Sequence, residues 1–417
     1  MRRAALALAL LLAPGSLAGQ TPDTALGTRV RTLEELVRLL RQQLAEQAGA
    51  VVAPREGYRV DLGGLVLVNG FYNDRKVNNS DVPQFVLPPD PPGGLPAKGL
   101  GATVRQTRLT LFALAPEVLG AALTGELDLD FFGGQQPSSG GRTFPLLRLR
   151  RTRADLVWRH AAVMVGQEAP LVAEVSPSSL AALGFPEFAG SGNLWLWIPQ
   201  IRAGFSGGGA VRAGIDLAAL APTAGTAQDL FATQPDRAER SARPFLQGRA
   251  FARWGDPDDP SEISAGAHLG WLATTGDSLL VSKAVVGAFR LALTRYVDLR
   301  GEAFAGQALG VLGGGGIGQS VGPGDVPVRT RGGWAQLNLR PVPQLEIGGG
   351  AGLDDPDDAD LDPASARLEN HTFSGHLTWR PRPLIVGVEF RRIGTRYGAP
   401  VGREWDSHVN LVVGLGF

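Results

Sequence analysis

From Tyr58 to the last residue the chain alternates apolar and polar positions with a period of two. Leu109, Leu111 and Ala113 alternate with Arg108, Thr110 and Phe112. Leu127, Leu129 and Phe131 alternate with Glu126, Asp128 and Asp130. The same holds for Val297, Leu299, Gly301 and Ala303 against Asp298, Arg300, Glu302 and Phe304, and for Val386, Val388 and Phe390 against Gly387, Glu389 and Arg391. Each predicted strand therefore has one apolar face and one face bearing formal charge. A soluble sandwich would bury the apolar faces against each other and wet the charged ones. The connections decide against that. Long ones (74–103, 133–143, 168–199, 218–242, 309–329, 354–367) alternate with short ones (115–120, 158–160, 206–209, 341–344, 380–383). Only 256–260 and 275–278 break the contrast.

Long loops at one end and tight turns at the other are the signature of an outer-membrane barrel with strands of about ten residues. The expected fold class is all-β: a transmembrane antiparallel β-barrel over residues 58–417, with about sixteen strands, an even number as in bacterial single-chain barrels. The final stretch, HVNLVVGLGF, is its closing strand, with Val409, Leu411, Val413 and Leu415 turned to lipid. Trp158, Trp254, Trp271, Trp379 and Trp405 fall at strand ends, where interface girdles sit.

The period differs before residue 58. Leu26, Val30, Leu33, Val37, Leu40 and Leu44 step by four and three, a narrow seam that predicts a short coiled-coil helix over 24–48. Gly49 is its C-cap, and 49–57 is a linker containing Pro54. Met1-Arg2-Arg3, the apolar run Ala4–Ala13 and Ser16-Leu17-Ala18 predict a secretory signal peptide over 1–19. The coiled coil is then expected in the periplasm. It is too short to cross that space as a tether to the cell wall, at about 1.5 Å per residue.

Composition narrows the chemistry. Forty basic residues balance 40 acidic ones, and no charged tail points to nucleic acid. Cysteine is absent, which excludes disulfides, thiolate metal sites and a Cys nucleophile. Neither a cofactor nor a metal site is expected. The Gly313–Gly316 run precedes no helix, so it is not a phosphate loop and reads as a flexible one. The acidic run Asp354–Asp360 matches no Ca²⁺ loop and reads as a solvated segment. The five His residues offer no Ser–His pair on an outer face, so an outer-membrane enzyme is disfavoured.

With the polar faces taken as the lumen, Arg108, Arg148, Arg150, Arg202, Arg212, Arg249, Arg253, Arg290, Arg300, Arg340 and Arg391 outnumber Glu126, Asp128, Asp130, Asp216, Asp298, Glu302 and Glu389. Arg108, Arg148, Arg150, Arg202, Arg249 and Arg253, with Glu126, Asp128 and Asp130, are the candidate pore-lining and solute-binding residues. Arginine cannot be deprotonated and binds carboxylate or phosphate bidentately, so such a lumen favours anions. The alternative is that these charges pair across the wall and satisfy one another. Arg151 and Arg153 fall on the lipid-facing parity, which a β-bulge would correct. Loop 168–199 is long, apolar and helix-tolerant over Ser178–Leu183. By its place in chain order it is a candidate constriction loop. Leu180, Phe185, Phe188, Trp195 and Trp197 would then face the lumen, or else pack between subunits. Glu174 and Glu187 read as ordinary loop charges.

A signal peptide, a short coiled coil and then a barrel resemble the DcaP-like trimeric porins. The segments RLTLF, EVLGAALTGELDLDFFGG, RLRRTRADLVW and VMVGQ are similar to that family's second to fifth strands, at Arg108-Leu109, Gly120, Asp128, Asp130, Phe131, Arg148 and Arg150. Residues Glu168-Ala169-Pro170 depart from the family pattern. The resemblance implies a homotrimer in the outer-membrane lipid, passing small anionic solutes such as dicarboxylates. The phosphate-selective porin O/P family is similar in size and assembly, but its Lys-lined site is hard to place in a chain this poor in Lys. The terminal Phe417 resembles the C-terminal signal of outer-membrane proteins, which implies recognition by the barrel-assembly machinery.

Overall fold

The structure is a computed structural model that describes residues 57–134, 145–225, 233–276, 278–362 and 364–417. The expected signal peptide, the coiled coil over 24–48 and nearly all of the linker lie outside the described residues.

The strands form one closed antiparallel barrel. They are β1 (Arg59–Asn73), β2 in two pieces (Gly99–Thr103 and Arg108–Val118), β3 (Ala121–Asp130), β4 (Arg148–Val157), β5 (Ala161–Glu168), β6 (Ile198–Gly208), β7 (Val211–Leu220) and β8 (Phe245–Asp256). The second half continues with β9 (Asp259–Ala273), β10 (Leu279–Thr294), β11 (Val297–Gln307), β12 (Arg329–Val342), β13 (Leu345–Pro356), β14 (Glu369–Trp379), β15 (Leu384–Arg396) and β16 (Arg403–Gly416). Both pieces of β2 pair with β1, so the ring has sixteen staves. β16 closes it, with Leu65 opposite Gly416 and Asn73 opposite His408. Closure leaves no sheet edge to expose unpaired backbone to lipid.

The alternation sorts the two faces. On β16, Leu411, Val413 and Leu415 are exposed on the outer wall, while His408 and Asn410 are buried inside. β1 follows the same rule, with Val66 and Val68 outside and Asn69 and Asn73 inside. An apolar outer face is what a hydrocarbon environment selects.

The register of β4 departs from simple alternation. Asp128 stands opposite Arg151, and Leu129 opposite Leu149, so Arg150 is an extra residue on β4. This bulge turns Arg151 and Arg153 inward. Their expected lipid-facing parity is thereby corrected, and the costly arginines at membrane depth are removed.

Two long connections do not stay at the rim. Loop 169–197 runs inside the barrel. It is held by side chains on both sides of the lumen: Asn69 Nδ2 donates to Leu180 O (3.3 Å), Gln106 Nε2 to Ala181 O (2.8 Å), Ser178 N to Gln336 Oε1 (2.6 Å) and Leu194 N to Glu302 Oε1 (3.1 Å). No helix forms over Ser178–Leu183. The backbone there bonds to wall side chains instead, and Ser179 Oγ accepts from Ala181 and Ala182.

Loop 308–328 packs beneath it. Leu309, Val311 and Leu312 are fully buried with Leu171, Val172 and Leu194 of the inward loop and Phe245, Leu272 and Phe304 of the wall. The Gly313–Gly316 run, expected to be a flexible loop, is therefore part of a packed core. A Cβ on Gly314 would lie 1.9 Å from Asn193 O, so only glycine permits this approach. The run Asp354–Asp360 is solvated only in part: Asp358 is exposed, but the two ends of the run are not. Asp354 ends buried on β13, accepting from Gly316 N (3.1 Å), Ile317 N (2.9 Å) and Thr330 Oγ1 (2.6 Å). Asp360 is paired with Arg329.

Candidate pore and its lining

The inward loop divides the lumen unequally. Toward β12–β16 and β1 the interior is filled. Arg391, Glu389, His376, His408 and Asn410 are buried on the wall, and Ser178 and Ser179 of the loop donate to Glu346 (2.5 Å) and Glu389 (2.6 Å). Glu187, expected to be a loop charge, is buried and accepts from Gln336 (3.0 Å).

Toward β4–β8 the lumen stays open. A cavity of about 830 Å³ reaches the turns at Trp158, Gly209 and Gly255. A second cavity of about 230 Å³ lies against the inward loop, bounded by Arg108, Arg150, Trp195 and Trp197. Arginine predominates in this lining. Arg108, Arg150, Arg151, Arg153, Arg202, Arg212, Arg249 and Arg253 face five carboxylates: Asp155, Glu168, Glu174, Asp216 and Asp256.

The candidate residues are brought together here, but mostly as pairs. Asp128, with no exposed surface, takes Arg108, Arg150 (3.3 Å) and Arg151 (3.3 Å). Arg148 binds Asp130 bidentately, at 2.9 and 2.6 Å, and donates to Gly184 O. Glu126 pairs with Arg151. Arg249 is buried between Glu174 (2.6 Å), Asp216 (3.0 Å) and Glu262 (3.0 Å). Arg202 pairs with Glu174, and Arg253 with Glu262. The wall thus satisfies its own charges to a large degree, several of the partner carboxylates (Glu126, Asp128 and Glu262) lying behind the surface, so that the surplus of arginine is one among the groups that face the open cavities. Glu126, Asp128, Asp130 and Arg148, all expected to line the pore, lie outside the lining of both cavities: the three acids pair with wall arginines, and Arg148 fixes the inward loop rather than facing open space.

The aromatics of the inward loop reach this wall. Trp197 lies under Arg150 (4.5 Å to the ring centre) and Arg148 (5.2 Å), and Trp195 packs edge-on to Phe185 (5.1 Å) and to Trp197 (5.2 Å). Stacking on a ring orients a guanidinium and leaves its edge free for hydrogen bonds.

Arg151, Arg153, Glu168 and Glu174 are lining residues that the sequence pattern did not select. The bulge hides the first two, since strict alternation puts them outside. Glu168 pairs with Arg151 (3.3 Å) and Arg153 (3.2 Å). Glu174 is not a free loop charge: it bridges two wall arginines.

A closed sixteen-stranded barrel with a loop folded into its lumen is the fold of outer-membrane porins. The solved structures agree. The chain is similar to the outer membrane channel DcaP of Acinetobacter baumannii, with a TM-score of 0.65 and 18% identity, covering 88% of this chain and 100% of that one. It is also similar to OprB of Pseudomonas putida (TM-score 0.51, 12% identity, 87% and 94% covered). A third match is the trimer form of the outer membrane protein OmpT of Vibrio cholerae (TM-score 0.51, 7% identity, 87% and 100% covered). At these identities the likeness is one of fold. No protein-family model and no curated protein matches the sequence.

Proposed function

We propose that the protein is an outer-membrane porin, a homotrimer passing small and preferentially anionic solutes such as dicarboxylates by passive diffusion. The observation that carries this reading is the open half of the lumen, where eight arginines face five carboxylates along β2–β8. In a narrow passage with low-dielectric walls such a surplus lowers the entry cost of anions. Loop 169–197 is the constriction, because it fills the other half of the lumen and leaves the arginine wall as the route. Residues 24–48 would stand as a periplasmic coiled coil, and the strand ending in Phe417 would be read by the barrel-assembly machinery. The structures matched above include one in trimer form, which supports the assembly.

The test is the reversal potential of the purified protein in planar bilayers under a KCl gradient. Current carried mainly by chloride, in steps arriving by threes, supports the reading. Cation-selective current overturns the arginine argument and keeps the barrel. Absence of current from folded protein overturns the porin.

A further inference from the structure

The two open cavities meet at one place. Arg151, Glu168, Ala169 and Glu174 line both, so they form the neck between the cavity at the turns and the cavity under the inward loop. Glu168 belongs to the wall, on β5. Glu174 belongs to the loop. Its carboxylate accepts from Arg202 Nη1 and from Arg249 Nη1 (2.6 Å), the first from β6 and the second from β8. Burial pushes this carboxyl up, but Arg249 and Arg202 outweigh it and hold Glu174 below its ordinary range.

The backbone on either side of Glu174 is fixed. On one side of Glu174 the backbone is pinned by Val172 N donating to Gln247 Oε1 (3.3 Å), and on the other by Ser178 N donating to Gln336 (2.6 Å). Glu174 itself keeps 28% of its side chain exposed, toward the neck. Displacing this one side chain would uncover both guanidinium groups while the pinned backbone stays in place.

We infer that Glu174 is a tethered counter-ion that sets the selectivity of the neck: it occupies, as a resident carboxylate, the Arg202–Arg249 clamp that binds the carboxylate of a passing solute, and the solute passes by exchanging with it. This rests on the porin reading above. A guanidinium pair that fits one carboxylate fits another of the same geometry. The exchange keeps the clamp paired throughout, and the displaced Glu174 is released into the neck, which Arg151 also lines.

The experiment compares the wild type with Glu174→Gln in planar bilayers, reading the KCl reversal potential and the block of chloride current by succinate. Glu174→Gln keeps the shape and removes the charge. The chloride-over-potassium permeability ratio is expected to rise roughly threefold or more, since one fixed negative charge leaves a focused positive field. Half-block by succinate is expected at lower concentration. Arg202→Gln removes one arm of the clamp and should lower the ratio and weaken the block. Wild-type ratio and block in both variants overturn the inference, while a non-conducting wild type overturns the porin reading instead. Heat-resistant migration on a semi-native gel confirms that each variant is folded, and if only one variant folds its ratio and block decide.

Discussion

Arg151 stands opposite Asp128 across β3 and β4, while Arg150, the residue before it, has no residue opposite it in the β3 register. That single extra residue puts Arg151 and Arg153 on the lumenal face with Arg148 and Arg150; Arg148, Arg150 and Arg151 gather around the carboxylates of Asp128 and Asp130, and Arg153 around Asp155 and Glu168. Asp128 is the centre of the group, fully buried and in contact with three guanidinium groups. Asp128→Asn keeps two polar atoms but leaves three cations without their shared counter-charge. Removing one partner of a buried ion pair costs about 3–5 kcal/mol. The variant is expected to lose its heat-resistant folded band at a lower temperature than wild type, and an unchanged transition would show that Asp128 is not needed to hold the bulge.

Gly314 and Asn193 tie the two inward segments. A methyl group on Gly314 would meet Asn193 O at 1.9 Å and Ala189 O at 3.1 Å, both backbone atoms that cannot swing aside. Gly314→Ala should push loop 169–197 off loop 308–328 and destabilise by about 1–3 kcal/mol, the usual cost of overpacking. Because the loop borders the pore, single-channel conductance should change as well. Gly70→Ala is the control: no atom lies within 4 Å of its Cβ, and it should match wild type in both measurements.

The barrel was legible in the sequence because lipid on one side and a polar lumen on the other impose period two on every stave, from Leu109 to Leu415. The interior was less so. Loops that fold into a lumen are shaped by contacts with distant strands, such as Ser178 with Gln336 and Leu194 with Glu302. Those contacts leave no periodic trace. The glycine run 313–316 reads as flexible by composition, yet its small size is what lets it pack. Alternation also cannot register a bulge, so Arg151 and Arg153 fall on the wrong face by counting. Glu174 carries no local signal at all. Its role comes from Arg202 and Arg249, which lie 28 and 75 positions further along the chain.

Asp354 supplies the acceptors for two backbone N–H groups of the glycine-rich loop, on Gly316 and Ile317. Asp354→Ala leaves both buried donors without a partner, at about 1–3 kcal/mol each. Loop 308–328 should then become cleavable by added protease in detergent-solubilised barrel. Asp354→Asn retains one carbonyl oxygen to accept from these N–H groups, and its protection should fall between those of Asp354→Ala and wild type. Equal resistance of all three proteins would mean that the apolar contacts of Leu309, Val311 and Leu312 hold this loop unaided.

Asp325 joins three outer connections, since it lies in loop 308–328 and accepts from Arg237 Nη1 (2.6 Å) and from Thr275 N (2.8 Å). The Thr275 N–H and the Arg237 guanidinium push its carboxyl down to about 2, from an ordinary value of 3.8. A carboxyl whose value is depressed in the folded state stabilises above its unfolded value and loses that contribution as pH falls through the folded one. The tie between these loops should therefore be intact above about pH 4 and fade toward pH 2. Amide hydrogen exchange of the segment around Thr275, corrected for the intrinsic pH dependence of exchange, should show protection lost across that interval. In Asp325→Asn the acid step should vanish, because the amide has no proton to gain. An acid step that persists in Asp325→Asn would place the titrating group elsewhere in these loops.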